Sequence, residues 1–254
     1  MAADYTQDAN CKGAWFMTAN GGNETDASVN GETLTETGGT IPTSATVPSG
    51  YGGTSRDFEA GDTEYLTHAD GGSTDISGVN QAISYMGWFK FESAAANYGL
   101  IVKADSNLDH RGYKIRFNSA TGDVRVFISG DGTSTTQDSV ISTSTDYGDG
   151  NWHHIAVVSN DTDIRIYRNG VLDCTPVAHD EGVFNNSAPF VVGSDWDVGA
   201  AVNFFDGLIT EVAVFDRALS AAEILEIYEN GLDGTKGAGF RGRMTTRTGY
   251  WGDL

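Results

Sequence analysis

Residues 152–174 read as consecutive β-strands separated by short turns. Apolar and polar residues alternate through WHHIAVVS, IRIYR and VLDC, and the connecting segments are NDTD and Asn169-Gly170. Alternation with a period of two is the pattern of a strand whose two faces meet different surroundings. Asn-Gly is the strongest short-range signal for a two-residue hairpin, because both residues tolerate positive φ. The segment therefore predicts an antiparallel meander.

Three further stretches carry the same signal. GYKIRF (112–117) and VRVFIS (124–129) alternate and are joined by SATGD, which predicts a hairpin. AISYMGWFKF (82–91) is apolar on both faces, as expected of a strand in the middle of a sandwich. The predicted faces of the strand at 82–91 are Ile83, Tyr85, Phe89 and Phe91 on one side and Met86 and Trp88 on the other.

The composition agrees with this interpretation. The 254 residues include 33 Gly and 4 Pro, which suits many short strands and tight turns.

One helix interrupts the strands near the C-terminus. In ALSAAEILEIYENG (218–231), Ser220 and Glu223 have the spacing of a capping box, and Gly231 is placed to end the helix. The apolar face is predicted to consist of Ile224, Leu225 and Tyr228. A single short helix is thus expected to close a β domain.

The adjacent His153 and His154 are the most active-site-like pair in the chain. Neighbouring residues of a strand point to opposite faces, so these two rings cannot bind one metal ion from a regular strand. Two residues away on either side stand Asn151, Trp152, Ile155 and Ala156, none of which supplies a second imidazole. Both histidines are therefore interpreted as structural, with a binding role for one of them as the alternative.

The charge of the chain excludes several functions. The net charge is −20, with 15 Lys and Arg against 35 Asp and Glu, which argues against binding nucleic acid or an anionic membrane surface.

The N-terminus has no basic region followed by an apolar run, so no signal peptide or transmembrane segment is visible. The only cysteines, Cys11 and Cys174, match no metal motif, and the sequence leaves open whether they pair.

Several of these stretches, in this order, resemble a known family. WHHIAVVSNDTDIRIYRNG, FVVGSD (190–195) and FFDGLITEVAVFDRALSAAEILEIYENG (204–231) resemble the laminin-G-like jelly rolls of the concanavalin A-like lectin and glucanase superfamily, and the likeness spans about residues 10 to 232. The resemblance implies an antiparallel jelly-roll sandwich over residues 1–234, followed by a tail at 235–254. The fold hosts lectins, adhesion modules, hydrolases, lyases and structural proteins, so it does not decide the function.

An enzyme is the minority interpretation. Glycosidases of this fold use clustered carboxylates, and the nearest match here is DFEAGDTE, with Asp57, Glu59, Asp62 and Glu64. An Ala-Gly-Asp turn interrupts it, so a solvated hairpin is expected instead. The resemblance also implies an Asp that helps to hold a structural calcium ion in related glucanases, but this chain has Thr210 there. No catalytic residues are assigned.

Two kinds of binding site are proposed from the residues. Asp105, Asn107 and Asp109 alternate as in a calcium loop, although Arg116 stands where an EF-hand has its bidentate Glu. A polar turn is expected there, with a bound calcium ion as the alternative, and no cofactor is required. Sugar binding needs exposed aromatic rings beside polar groups. The candidates are Trp196, Tyr147 and Phe184, which lie in predicted loops; a role as loop anchors is expected, with sugar binding as the alternative.

The tail differs in charge from the rest of the chain. Of the 15 cations, four lie in residues 235–254, which leaves 11 against 34 acids in residues 1–234, a net charge of −23. A docking arm that reaches another subunit is expected, with a frayed end as the alternative. We therefore expect an exposed, non-enzymatic component of a larger assembly, such as a phage virion decoration or tail protein, that contacts glycans or neighbouring subunits. A free lectin, exported by another route, and a glycoside hydrolase or lyase are the alternatives. The residues assigned to the docking arm are Phe240, Arg241, Arg243, Arg247, Tyr250 and Trp251.

Overall fold

The computed structural model describes residues 2–105, 109–160 and 162–235. Two antiparallel sheets stack face to face, with a two-stranded hairpin beside them. This is the predicted concanavalin A-like jelly roll. Residues 236–254 of the predicted tail and Asn107 lie outside the described residues.

The first sheet has nine strands. Seven follow one another in the sheet as β13 (Val171–Leu172), β12 (Asp163–Arg168), β11 (Trp152–Ser159), β6 (Ile83–Phe91), β18 (Gly207–Phe215), β4 (Ser55–Phe58) and β3 (Thr43–Ser44). Two more lie off this path, β1 (Cys11–Trp15) beside β18 and β14 (Val177–Ala178) beside β12.

The second sheet has seven strands. Their order is β10 (Gln137–Ile141), β9 (Asp123–Ser129), β8 (His110–Asn118), β7 (Tyr98–Asp105), β15 (Phe190–Val192), β5 (Tyr65–His68) and β2 (Thr35–Thr37). The separate hairpin pairs β16 (Asp195–Asp197) with β17 (Ala200–Val202). Short 3₁₀ helices occupy Tyr5–Gln7 and Ala60–Asp62.

The predicted hairpins form as expected. Asn169 and Gly170 have φ values of 51° and 80°, the left-handed conformation that a tight Asn-Gly turn requires. The β8–β9 pair runs in register from Tyr113 opposite Ile128 to Asn118 opposite Asp123, which places the SATGD turn as predicted. The meander of β11, β12 and β13 is confirmed.

Apolar residues of β6 divide between two cores, as the alternation predicts. Those on one face enter the core between the sheets, and Met86 on the other face enters a smaller core beneath the helix. Trp88 stacks on Tyr228 of the helix with ring centroids 5.4 Å apart. The sheet interior is therefore closed on one side by the second sheet and on the other by the helix. The inward-facing residues are Ile83, Tyr85, Phe89 and Phe91.

Helix α1 (Ala221–Asn230) begins with the predicted capping box. The hydroxyl of Ser220 accepts from the backbone N–H of Glu223, whose carboxylate accepts from the backbone N–H of Ser220. The predicted apolar face is wrong at Leu225, which is 40% exposed, because Ile227 is the residue buried beside Ile224. Ile227 follows Ile224 by three residues and Tyr228 follows it by four, and both spacings lie on one helix face. The sequence alone therefore did not decide between Leu225 and Ile227 as the buried residue. Among the described residues, no helix is long and apolar enough to cross a membrane.

The segment 55–68 is not the hairpin that was expected. Its two strands belong to different sheets, because β4 pairs with β18 and β5 pairs with β15. The Ala-Gly-Asp turn carries the chain across the sandwich, and Glu64 is buried, where its carboxylate accepts from the backbone N–H of Glu59 at 2.9 Å. The solvated-hairpin interpretation is therefore wrong for Glu64.

Both cysteines are buried thiols that form no disulfide. Cys11 lies in the core beneath the helix and Cys174 in the core between the sheets. Burial raises the pKa of the Cys11 thiol to about 12 and also raises that of Cys174. A raised pKa leaves little thiolate at neutral pH, so both act as small apolar side chains.

Candidate functional site

A polar pocket of about 300 Å³ opens at one end of the second sheet. It forms where β5 ends and where β8 and β15 begin, so its walls come from loops held by strand ends. Loops carried on a rigid sheet are common sites of ligand binding. We name it the rim pocket, and its lining residues are Asp70, Asp75, His110, Phe184, Asn185, Asn186 and Ser187.

A buried lysine holds the acidic side of the rim pocket in place. The Nζ atom of Lys103 lies 2.8 Å from Oδ1 of Asp70 and 2.6 Å from Oδ1 of Asp75. The same Nζ donates to the backbone carbonyls of Asn186 and Ala188 at 3.1 and 2.6 Å. The bond with Lys103 lowers the pKa of Asp70, which therefore stays an ionised acceptor. Its side chain is 41% exposed and faces solvent at the pocket.

The rest of the rim pocket combines an aromatic ring with hydroxyl and imidazole groups. The Phe184 ring is half-buried and fits against Gly132, where an added Cβ would come within 2.5 Å of the ring. Gly132 also has a φ of 86°, so a side chain there would be strained as well. The hydroxyl of Ser187 lies 3.1 Å from Nδ1 of His110. The pocket therefore combines an aromatic ring with several hydrogen-bonding groups.

The structure separates the three aromatic residues that the sequence grouped. Phe184 lies in the rim pocket, whereas Trp196 lies on strand β16, against Tyr65, and not in a loop. Tyr147 lies in a turn but is fully buried, and its hydroxyl donates to Oδ2 of Asp173 at 2.6 Å. The guanidinium of Arg168 lies 4.7 Å from the centre of the Tyr147 ring. Tyr147 is thus a loop anchor, and its buried ring has no face open to a sugar.

The two described residues of the predicted calcium loop already have protein partners. Both carboxylate oxygens of Asp105 accept backbone N–H groups, from Val198 at 3.1 Å and Gly199 at 2.7 Å. Asp109 is exposed and forms an ion pair of 2.9 Å with Arg111. Asp105 therefore serves to attach the turn of the β16–β17 hairpin to the end of β7. The calcium site stays a prediction.

A different acidic group forms next to β4. Within the described ranges, Asp57, Glu59 and Glu92 are the acids whose carboxylate oxygens all lie within 4.8 Å of one another. Burial and the charge of Asp206 raise the pKa of Asp57, and the same two causes are the main ones that raise the pKa of Glu59. Asp57 and Glu59 belong to the DFEAGDTE motif, but Glu64 does not join them. Glu92 comes from the end of β6, which no local pattern could have indicated.

Comparison with known proteins decides the family. The model of the concanavalin A-like lectin/glucanases superfamily, of laminin G type, matches residues 60–225. The chain belongs to this superfamily. Among curated proteins, none matches the chain.

Solved structures share the superfamily fold at low sequence identity. The binding domain of botulinum neurotoxin DC, in complex with rat synaptotagmin II, is 12% identical with a TM-score of 0.64, covering 87% of this chain and 51% of that one. The binding domain of Paraclostridial Mosquitocidal Protein 1 is 15% identical with a TM-score of 0.65, covering 87% and 52%. The chain thus spans about half the length of these toxin domains.

A third solved structure is matched over almost its whole length. Domain 4 of AbnA, a GH43 extracellular arabinanase from Geobacillus stearothermophilus in complex with arabinotriose, is 17% identical with a TM-score of 0.60. The match covers 86% of this chain and 98% of that domain. At this identity the likeness establishes the superfamily fold and no binding residue.

The departure from the superfamily pattern at Thr210 has a structural counterpart. The Thr210 hydroxyl lies 3.1 Å from the carbonyl of Phe16 and 2.9 Å from that of Thr54. A hydroxyl can donate to such carbonyls, whereas a carboxylate would repel them without a cation between. The Thr210 hydroxyl therefore links β18 to the segments of Phe16 and Thr54, at the position where the resemblance implied an Asp.

The sequence reasoning found Phe184 but missed the other residues of the rim pocket. Asp70, His110 and Ser187 are 40 or more residues apart along the chain, and no local spacing relates them. The run Asn185-Asn186-Ser187, directly after the aromatic residue, was the one available signal.

Proposed function

We propose that the protein is a non-enzymatic glycan-binding module and that the rim pocket is its binding site. The observation that carries this proposal is that the Phe184 ring lines the same pocket as the exposed carboxylate of Asp70, which Lys103 holds in place. A sugar ring presents C–H groups to an aromatic face and hydroxyls to carboxylate and amide groups, so both kinds of contact are available. The superfamily includes lectins, and the matched arabinanase domain was solved with arabinotriose, which supports the proposal.

A glycan array that includes arabinotriose tests this function. We expect the wild-type protein to bind a defined set of glycans, and Phe184→Ala and Asp70→Asn to lose at least tenfold in affinity for them. Trp196→Ala is the matched control, because it removes a partly buried aromatic ring on strand β16, outside the rim pocket. Melting curves confirm that each variant folds. Full binding by both rim variants would contradict the site, and loss in Trp196→Ala alone would move it to the β16–β17 hairpin.

We also propose that the protein is an exposed component of a larger assembly, such as a virion, held by its tail. An apolar groove of about 630 Å³ between β13 and α1 supports this, because it exposes Val171, Leu172 and Leu225 at 66%, 46% and 40%. Exposed apolar residues gathered in one groove are typical of protein interfaces. The proposed occupant is the tail of a neighbouring copy. The 19 residues from 236 to 254 include three aromatic residues, and their four cations suit the acidic body.

Self-association measured by light scattering tests the assembly role. We expect the intact chain to associate, less so at high salt, and the chain lacking residues 236–254 to be a folded monomer. Leu225→Ser should also prevent association, whereas Val79→Ser should not, although Val79 is 85% exposed. An intact chain that stays monomeric, or a truncated chain that still associates, would contradict the proposal. A free lectin would be monomeric in both forms.

A further inference from the structure

Two arginines face each other across the β8–β9 hairpin of the second sheet. Arg116 and Arg125 are directly opposite in the strand register, and both side chains are partly exposed. Like charges in directly opposed positions destabilise an antiparallel pair. Lys114, two residues before Arg116, is a further cation nearby. The opposition of the two arginines is by itself unfavourable for folding, so the groups around them are the next question.

The acids beside this pair bind the arginines mainly through their Nε atoms. Nε of Arg116 lies 3.2 Å from Oδ2 of Asp195, and Nε of Arg125 lies 2.9 Å from Oδ1 of Asp123. In the part of the chain that the structure describes, neither Nη atom of Arg116 has a hydrogen-bond acceptor. Nη2 of Arg125 has only contacts of 3.5 Å, with Thr121 and Asp123. Each guanidinium is therefore held in place with donors still available.

These donors open into a pocket of about 100 Å³, separate from the rim pocket. Oδ1 of Asn97 accepts from the backbone N–H of Ser119 at 3.0 Å, an orientation that leaves its Nδ2 as a further donor. The half-exposed ring of Phe127 supplies an apolar wall. A pocket with excess donors and positive charge suits a ligand that is negative and only accepts hydrogen bonds. The lining residues are Asn97, Arg116, Phe117, Asn118, Arg125 and Phe127.

We propose that this pocket binds the carboxylate of an acidic sugar. The planar guanidinium of arginine matches a carboxylate with two parallel hydrogen bonds, which the ammonium of lysine cannot do. The Phe127 ring and the amide of Asn97 line the same pocket and would be the contacts of the sugar ring attached to that carboxylate. The negative ligand removes the repulsion between Arg116 and Arg125, so the unfavourable pair becomes favourable in the complex. The site is independent of the rim pocket.

Titration calorimetry at low ionic strength with glucuronate, glucose and acetate tests this proposal. We expect saturable binding of glucuronate, none of glucose, and at least tenfold weaker binding of acetate, which has the carboxylate without the sugar. Arg125→Gln should weaken glucuronate binding at least tenfold. Arg125→Lys should also weaken it, because the charge remains and the planar fork is lost. Binding should fall as salt is raised.

A matched control exists in the same chain. Arg165 pairs with Asp163 two residues away, as Arg125 pairs with Asp123, and the side chains of the two arginines are 34% and 36% exposed. Arg165→Gln should therefore leave glucuronate binding unchanged. Unchanged binding in Arg125→Gln, or equal loss in Arg165→Gln, would overturn the site. Acetate binding as tightly as glucuronate would overturn the sugar and indicate an adventitious ion only. Failure of the rim variants on the glycan array would leave this result unaffected.

Discussion

His154 packs its ring against Trp88 on the helix-covered face of the first sheet, with ring centroids 5.2 Å apart. His153 lies on the opposite face, where its ring meets the edge of Tyr147 at 5.4 Å. Nε2 of His153 is also 2.9 Å from Oδ1 of Asp149. The strand alternation had predicted this separation. The neighbouring imidazoles therefore belong to two different packing environments.

The first prediction concerns the His154–Trp88 contact. His154→Gln should lower the free energy of unfolding by about 1 kcal/mol, the typical contribution of an aromatic pair, and leave glycan binding intact. Urea denaturation of His154→Gln, Trp88→Phe and the double variant measures the coupling between the two side chains. A His154→Gln protein with unchanged stability and abolished binding would show that the ring serves in recognition.

The second prediction is a pH dependence that originates in His153. Burial lowers its pKa below the ordinary 6.5. The hydrogen bond with Asp149 raises this pKa and the charge of Arg168 lowers it, but burial is the largest of these effects. The unfolded chain therefore binds this proton more readily than the folded chain, so the contribution of His153 to stability is complete above about pH 6.5. It is lost as the pH falls from that value through the lowered pKa.

Urea denaturation between pH 5 and pH 8 checks this dependence. The wild-type protein should lose more stability on acidification than His153→Gln does, and the difference between the two curves isolates His153 from the many carboxylates. Parallel curves would show that the pKa of His153 is the same in the folded and unfolded chains.

The third prediction concerns Arg56, whose side chain is completely buried between Glu24 and Glu36. Its guanidinium also donates to the carbonyls of Ile41 and Gly22. Removing one partner of a buried ion pair leaves the other charge uncompensated, so Arg56→Ala should cost about 3–5 kcal/mol. Arg56→Lys should also destabilise the fold, because one ammonium cannot replace all these bonds. Arg165→Lys, at an exposed pair, serves as the control in urea denaturation and should be nearly neutral.

The fourth prediction separates calcium from hydrogen bonding at Asp105. Because both oxygens of this carboxylate already accept backbone N–H groups, we expect the same melting temperature in excess calcium and in chelator. Asp105→Asn should lower stability under both conditions by about 1–3 kcal/mol, as when a buried donor loses its acceptor. A melting temperature that rises with calcium, in the wild-type protein and not in Asp105→Asn, would establish the calcium site instead.

Part of the arginine pocket could have been predicted from the sequence. Arg116 and Arg125 stand in two strands that were predicted correctly, joined by a turn that was also predicted correctly. Their opposition could have been read by counting outward from that turn. Asn97, in contrast, precedes β7 and reaches the pocket through tertiary folding alone.

The sequence by itself determined the elements that depend on neighbours along the chain. Strand alternation, the Asn169-Gly170 turn and the Ser220–Glu223 capping box are local, since each depends on residues within a few positions. Tertiary structure decided which sheet each strand joins, and so sent β4 and β5 to opposite sheets although only six residues separate them. It also decided the sites, which gather Asp70, His110 and Phe184 from distant loops. The physical reason is that burial and charge pairing depend on distance in space, which local periodicity does not encode.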